Sequence, residues 1–262
     1  MRNDSSFMRG LSILDAFQAE DTELSLTQIA NRVGLPKSTA HRLVADLVTW
    51  GGLERTDTGL RLGMRLFELG RFVPVQRELA DVALPFLEDL FNITKKTVNL
   101  AVLNKSEIVY VEKLEAPGAP TDSRSGSRLP VHCTALGKAM LAFSPPALSD
   151  QIAQTGLIPV TERSITSVAV FRRELAGVRN TRLAFDREET ALGLFCIGTP
   201  IFDARGTLVG AISVSSLESI IGARTLGPAL LTVARALSRE LGAPPRTGTP
   251  QLRLQRREAA GA

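Results

Sequence analysis

Five hydrogen-bond donors between residues 37 and 42 carry the sharpest chemistry in this 262-residue chain. Lys37, Ser38, Thr39, His41 and Arg42 share one outward face if a helix starts at Pro36. Their ammonium, hydroxyl, imidazole and guanidinium groups suit phosphate oxygens and base edges in a duplex groove. Arg42 has the fork for bidentate contact to guanine, and equally for phosphate. His41 is either a base reader or plain helix surface. Further on, Arg55 and Arg61 flank a turn and suit phosphate or minor-groove contact.

A second group of polar residues lies after residue 130. Ser213 and Ser215 are two apart in an apolar strand-like run, so both hydroxyls face one side. Hydroxyls turned toward a core need partners, and a small polar ligand would supply them. Thr134 is placed to cap a helix opening with Ala135, Leu136 and Gly137. Small residues there admit a ligand to the helix N-terminus, where free N–H groups favour an anion, or simply allow close helix–sheet packing. Asp186 and Glu189 are either pocket acids or the cap and first-turn acids of a turn.

Nucleophilic and metal chemistry find little support. The chain has two histidines, and one is His41. His132 and Cys133 adjoin, but no orienting partner or oxyanion site is evident. With Cys196 they match no zinc-ligand spacing. Both cysteines read as small apolar residues. No enzyme, metal or cofactor is expected.

The elements that must position these groups follow from periodicity. Phe7, Leu11, Leu14 and Phe17 predict a helix over 6–18. Ser25 caps a second helix over 26–33, and a third runs from Pro36 to Trp50, stopped by Gly51-Gly52. Ala30, followed four residues later by Gly34, gives the close crossing and sharp turn of a helix-turn-helix. Ile29, Val33, Leu35, Ala40 and Leu43 supply its packing. Leu53–Arg55 and Leu60–Leu62 form a hairpin wing. A helix over 64–77, broken by Pro74, links to a second domain; its Leu66, Phe67, Leu69 and Phe72 exceed what a lone winged domain needs and suggest pairing with a second copy.

After residue 79 the expected order is a helix at 79–92, strands at 97–103 and 108–114, and a loop at 116–130. Helices follow at 134–143, 146–155 and 171–181, then strands at 192–202 and 207–215 and a helix at 218–241. Gly222, Leu226, Leu230, Val233 and Leu237 give that helix a buried stripe. Strand pairs mixed with helices make this an α+β domain with an antiparallel sheet. The domains are therefore 1–63, a linker at 64–78, and 79–245, with a disordered tail at 246–262.

Charge does not decide the partner. The net charge is +4, yet residues 1–80 carry ten basic and ten acidic side chains. Most of the excess lies from Arg246 onward, with four Arg against one Glu. No apolar run is long enough to span a membrane. The N-terminus lacks a signal-peptide pattern, and two cysteines make no disulfide framework, so a cytoplasmic protein is expected.

The stretch QIANRVGLPKSTAHRLVADLVTWGGLER and the following LRLG resemble the IclR family of bacterial transcription regulators. LPVHCTALGKAMLA at 129–142 and DREETALGLFCIGTPIFDARGTLVGAISVSS at 186–216 resemble its second-domain motifs. The resemblance covers about residues 7–241. It implies a winged helix-turn-helix joined to a GAF/PAS-like effector-binding domain, a double-stranded DNA operator, and a dimer or dimer of dimers. It also implies a pocket for a small organic, carboxylate-like effector, formed by Ala135, Leu136, Asp186, Leu194, Cys196, Ser213 and Ser215. One position departs from the pattern. Arg182 stands where the family usually has Gly or Ala, so the turn there is expected to differ. Two alternatives remain open: a sensor whose winged domain contacts protein, and a Cys–His enzyme.

Overall fold

The structure is a computed structural model that describes residues 5–18, 20–74, 76–118, 123–216 and 225–244. The proposed tail at 246–262, and the part of the last helix that contains Gly222, lie outside these residues. The chain divides into two compact units, Met1–Arg77 and Glu78–Ala262.

The first unit holds α1 (Ser6–Leu14), α2 (Leu26–Val33), α3 (Lys37–Trp50), β1 (Leu53–Arg55), β2 (Leu60–Leu62) and α4 (Met64–Gly70). Ser25 and Gln28 close a reciprocal capping box at the start of α2. Gly34 ends α2 with φ 68°, a left-handed turn that suits glycine. Pro36 is the cap of α3 rather than its first residue, and Gly51 stops α3 at φ 85°. A core of Ile13, Leu24, Ile29, Leu43, Val44, Leu53 and Leu60 joins the helices to the wing. Leu24 pairs with Leu60, so the segment before α2 adds a bridge to the hairpin.

Two expected helices are shorter. The 6–18 helix ends at Leu14, because Asp15 leads into a polar turn held by Asp21, which accepts from the Gln18 amide at 2.8 Å. The 64–77 helix ends at Gly70. A π-helical turn at Gln76–Ala80 follows Pro74 and leads into α5 (Asp81–Thr94).

The second unit is built on one antiparallel sheet of six strands in the order β5-β4-β3-β8-β7-β6. They are β3 (Thr97–Asn104), β4 (Glu107–Leu114), β5 (Arg128–Pro130), β6 (Ala184–Arg187), β7 (Phe195–Phe202) and β8 (Leu208–Ser216). β5 falls inside the expected 116–130 loop, and β6 was not expected. The remaining helices are α6 (Ala135–Leu141), α7 (Pro146–Thr155), α8 (Val168–Thr181) and α9 (Gly227–Glu240).

Both sheet faces are covered. α5 and α9 pack together and on the face carrying Ile197, which lies beside Gly227. α6 packs on the opposite face, where a Cβ on Gly198 would lie 2.9 Å from the Ala135 backbone. Leu230 and Leu237 of the expected stripe are buried, but Val233 is only half-buried, and Leu231 and Ala234 complete the buried face.

Candidate nucleic-acid interface and ligand cavity

In the first unit, α2 and α3 pack through buried Ile29, Ala30, Ala40 and Leu43. The opposite side of α3 carries the expected donors. Lys37, Ser38, His41 and Arg42 are exposed, and Thr39 is half-buried. Arg42 Nη2 lies 3.4 Å from Ser6 Oγ at the start of α1.

The two wing arginines differ. Arg55 is exposed. Arg61 Nη2 forms an ion pair with Glu54 Oε2 at 2.8 Å, and Glu54 Oε1 also accepts from the Met64 amide at 3.1 Å. Glu54 thus fastens the wing to the first turn of α4. Sequence reasoning took Arg61 as available for phosphate and missed this acid, although Glu54 lies directly opposite Arg61 in the hairpin register.

In the second unit, strand register assembles the polar group. Asp186 is opposite Cys196, Cys196 opposite Ser215, and Ser215 opposite Thr97. The next row on the same face runs Ala184, Gly198, Ser213, Asn99. Of these rows, Thr97, Asn99, Asp186, Cys196, Ser213 and Ser215 floor a cavity of about 220 Å³, roofed by Thr134, Ala135 and Leu136 and walled by Tyr110, Thr190 and Leu194. Lys95 and Lys96 also line it. All seven residues implied by the resemblance line this one cavity.

Sequence reasoning missed Asn99, Thr97 and Tyr110. Asn99 Nδ2 donates to Ser213 Oγ at 3.2 Å and to Ser215 Oγ at 3.3 Å. The serines therefore have a protein partner, which sequence reasoning had assigned to a ligand. Of the two readings open for Gly137, close packing holds. Its Cβ would stand 2.0 Å from the Val131 carbonyl oxygen, so this glycine serves close packing and not ligand approach. Thr134 caps α6 as expected, accepting from the Gly137 amide at 2.9 Å.

Asp186 does not orient a histidine. Its Oδ1 accepts from the Glu189 amide at 2.7 Å, and its Oδ2 accepts from the Thr190 hydroxyl. It both caps the 186–190 turn and lines the cavity. Burial pushes its carboxyl up to about 6, against hydrogen bonds that lower it. The folded state then holds the Asp186 proton more tightly than the unfolded chain between the ordinary 3.8 and about 6. Stability should therefore fall as pH rises from about 4 to 6 and level off above. Denaturant unfolding across that window checks this, and Asp186→Asn should flatten the slope.

Arg182 keeps a left-handed C-cap on α8 with φ 60°, so the turn has the conformation a glycine favours. Its guanidinium stacks 5.3 Å from the Phe202 ring centre and 5.8 Å from that of Phe143. These cation–π contacts offset part of the backbone cost. Arg182 does not line the cavity.

His132 Nε2 donates to the Ile158 carbonyl at 3.0 Å, and burial lowers its pKa. Burial pushes the Cys133 thiol up to about 12, so it is not a thiolate at neutral pH. Iodoacetamide should modify Cys133 in the native protein far more slowly than a free thiol, as mass spectrometry over a time course would show. Among the described residues, no group of three or more His, Cys, Asp or Glu side chains is placed to hold a metal ion. No described helix is long and apolar enough to cross a membrane.

Residues 73–240 match the bacterial transcriptional regulator IclR C-terminal domain, and residues 6–57 match the IclR helix-turn-helix domain. The chain belongs to the IclR family. It is 35% identical to the HTH-type transcriptional regulator XynR of Escherichia coli K12, over 91% of this chain and 98% of that protein. It is 33% identical to the glycerol operon regulatory protein of Streptomyces coelicolor, over 92% and 98%. Among solved structures, an IclR homolog from Microbacterium hydrocarbonoxydans complexed with 4-hydroxybenzoate matches with a TM-score of 0.83 at 29% identity, covering 90% of this chain and 99% of that one. Thermotoga maritima IclR matches with a TM-score of 0.75 at 30% identity, covering 90% and 98%. As an IclR-family transcriptional regulator, the chain combines a helix-turn-helix unit with a C-terminal effector domain.

Proposed function

We propose that this regulator binds a near-palindromic operator as a dimer and changes its operator affinity when a small carboxylate-type effector fills the cavity of the second unit. The observation that carries this reading is the cavity lined together by Asp186, Cys196, Ser213 and Ser215. The Microbacterium neighbour's 4-hydroxybenzoate supports a small organic acid as the class of ligand.

Lys37, Ser38, Thr39, His41 and Arg42 enter the major groove, with Arg55 on the adjacent backbone. Pairing is supported by the apolar side chains that one copy leaves exposed: Phe7 on α1, Met64 and Phe67 on α4, and Phe72 just after it. Two copies place two recognition helices about 34 Å apart, one turn of duplex. The effector acts through its differential affinity for two placements of the paired winged units, and by no more than that difference. A cytoplasmic location fits such a partner.

Fluorescence anisotropy tests this with duplexes from upstream of the gene, a random duplex and a salt series. Specific binding about a hundredfold or more above random DNA is expected. It should weaken steeply with salt as counterions are released. If an unbiased pool of duplexes yields no enriched sequence, the operator reading fails.

A further inference from the structure

The hydrogen bonds of the cavity floor have a direction, and one side chain sets it. A serine or threonine hydroxyl offers one proton and two acceptor sites. Asn99 Nδ2 donates to both serines, at 3.2 Å to Ser213 Oγ and 3.3 Å to Ser215 Oγ. The Cys196 thiol donates a third bond, to Ser215 Oγ at 3.3 Å. Thr97 Oγ1 accepts from the Ala116 amide at 3.0 Å, and Thr134 Oγ1 from the Gly137 amide at 2.9 Å. Each of these four hydroxyls is used as an acceptor by the protein. Among the described residues none is supplied with an acceptor for its own proton.

Asp186, the acid that lines the cavity, is in the opposite state. Both its oxygens already take protein donors, the Glu189 amide and the Thr190 hydroxyl. The serines and threonines therefore lead with protons and the acid is already engaged; the Oδ1 of Asn99 is the acceptor that lies among them. Asn99 is itself buried, directly opposite Ser213 in the strand register and diagonal to Ser215. Its carboxamide nitrogen is what turns both serine protons away from the protein.

We propose that Asn99 is the specificity-determining residue of this cavity: it turns both floor serines outward as hydrogen-bond donors, so the site takes ligands that lead with an acceptor pair, a carboxylate above all. A molecule of the same shape that leads with donors binds worse, because its protons and the two serine protons would face each other without acceptors. This rests on the reading of the cavity as the effector site and adds the group that selects within it.

Tyr110 is the chain's one tyrosine and lines the same cavity, so 3-fluorotyrosine labelling gives a single fluorine signal from the site. Two pairs of planar probes differ in polarity at nearly constant shape: benzoate against benzamidine, and acetate against acetamidine. The full-length wild-type protein should show a saturable shift with an acid and none with its amidine. Asn99→Asp reverses the floor, since its carboxylate accepts from both serines; acid affinity should fall tenfold or more and amidine binding should appear. Asn99→Leu separates polarity from charge and should bring the acid and amidine responses to within about threefold of each other. Ser213→Ala, a milder change, should weaken the acid several-fold and leave the amidine unaffected. Wild-type binding of acid and amidine alike, or an unchanged preference in Asn99→Leu, would overturn this proposal and leave the effector reading standing. Silence from all four probes in the wild-type protein would overturn both.

Discussion

Lys138→Met is expected to destabilise the second unit by about 3–5 kcal/mol, the cost of leaving a buried charge unpaired. Lys138 lies on α6 and is fully buried, 0% exposed. Its Nζ is 2.5 Å from Glu189 Oε1 and 3.7 Å from Glu174 Oε1. Glu174 is also held by Arg187 at 2.9 Å. The ammonium thus ties three pieces together: α6, α8 and the turn that follows β6. Without it, Glu189 stays buried with a carboxylate that burial already pushes toward its neutral form. The loss should therefore be larger at pH 8 than at pH 5, where Glu189 takes a proton more readily. The double change Lys138→Met with Glu189→Leu should recover most of the stability, because replacing both partners removes the unpaired charge. Denaturant unfolding followed by circular dichroism measures all three proteins. A single variant as stable as wild type would mean that Glu189 has water to lean on.

Arg42→Ala should cost about 1–3 kcal/mol of operator affinity where the guanidinium reads a base, roughly a five- to 150-fold loss. The loss should then concentrate at one operator position and relax the preference there. A phosphate contact would weaken all duplexes alike and lower the salt slope by about one. The side chain is exposed on α3, and the 3.4 Å approach to Ser6 Oγ is long enough to give way to DNA. Arg61→Ala should cost less, since Arg61 must leave Glu54 before it can serve a phosphate. Anisotropy on wild-type and position-scanned duplexes gives both numbers.

The winged unit was legible because its signals are local. Ser25, Gly34 and Gly51 act within a turn of where they stand, and the apolar spacing of α2 and α3 is short-range. The ends of α1 and α4 were not legible, since apolar periodicity continued past the point where polar contacts or backbone geometry stopped the helix. β6 was missed because its four residues, Ala184–Arg187, mix charge with apolar character. Asn99 left a signal that went unused: a strand-averse residue inside the apolar run TVNLAVL. Lys138 left one too, a lone charge in LGKAMLA, but a lysine reads as surface until its two acids are brought to it from residues 174 and 189. Those partners are fixed by tertiary packing and have no counterpart in local sequence. Ser213 and Ser215 were legible from their spacing, whereas Leu194 and Cys196 came from the motif resemblance; strand register explains why Asp186, Cys196, Ser213 and Ser215 share a face.

The placement of β3 beside β8 has a consequence for the newly made chain. The Asn99–Ser213 bond spans 114 residues, whereas the winged unit is complete by Arg77. Non-local strand pairing is slow because loop closure must precede its reward, and chains emerge from the ribosome N-terminus first. During synthesis the DNA-reading half can therefore fold well before the sensing half has a floor. For that interval each nascent molecule holds a reading head with no means of being told what the cell contains.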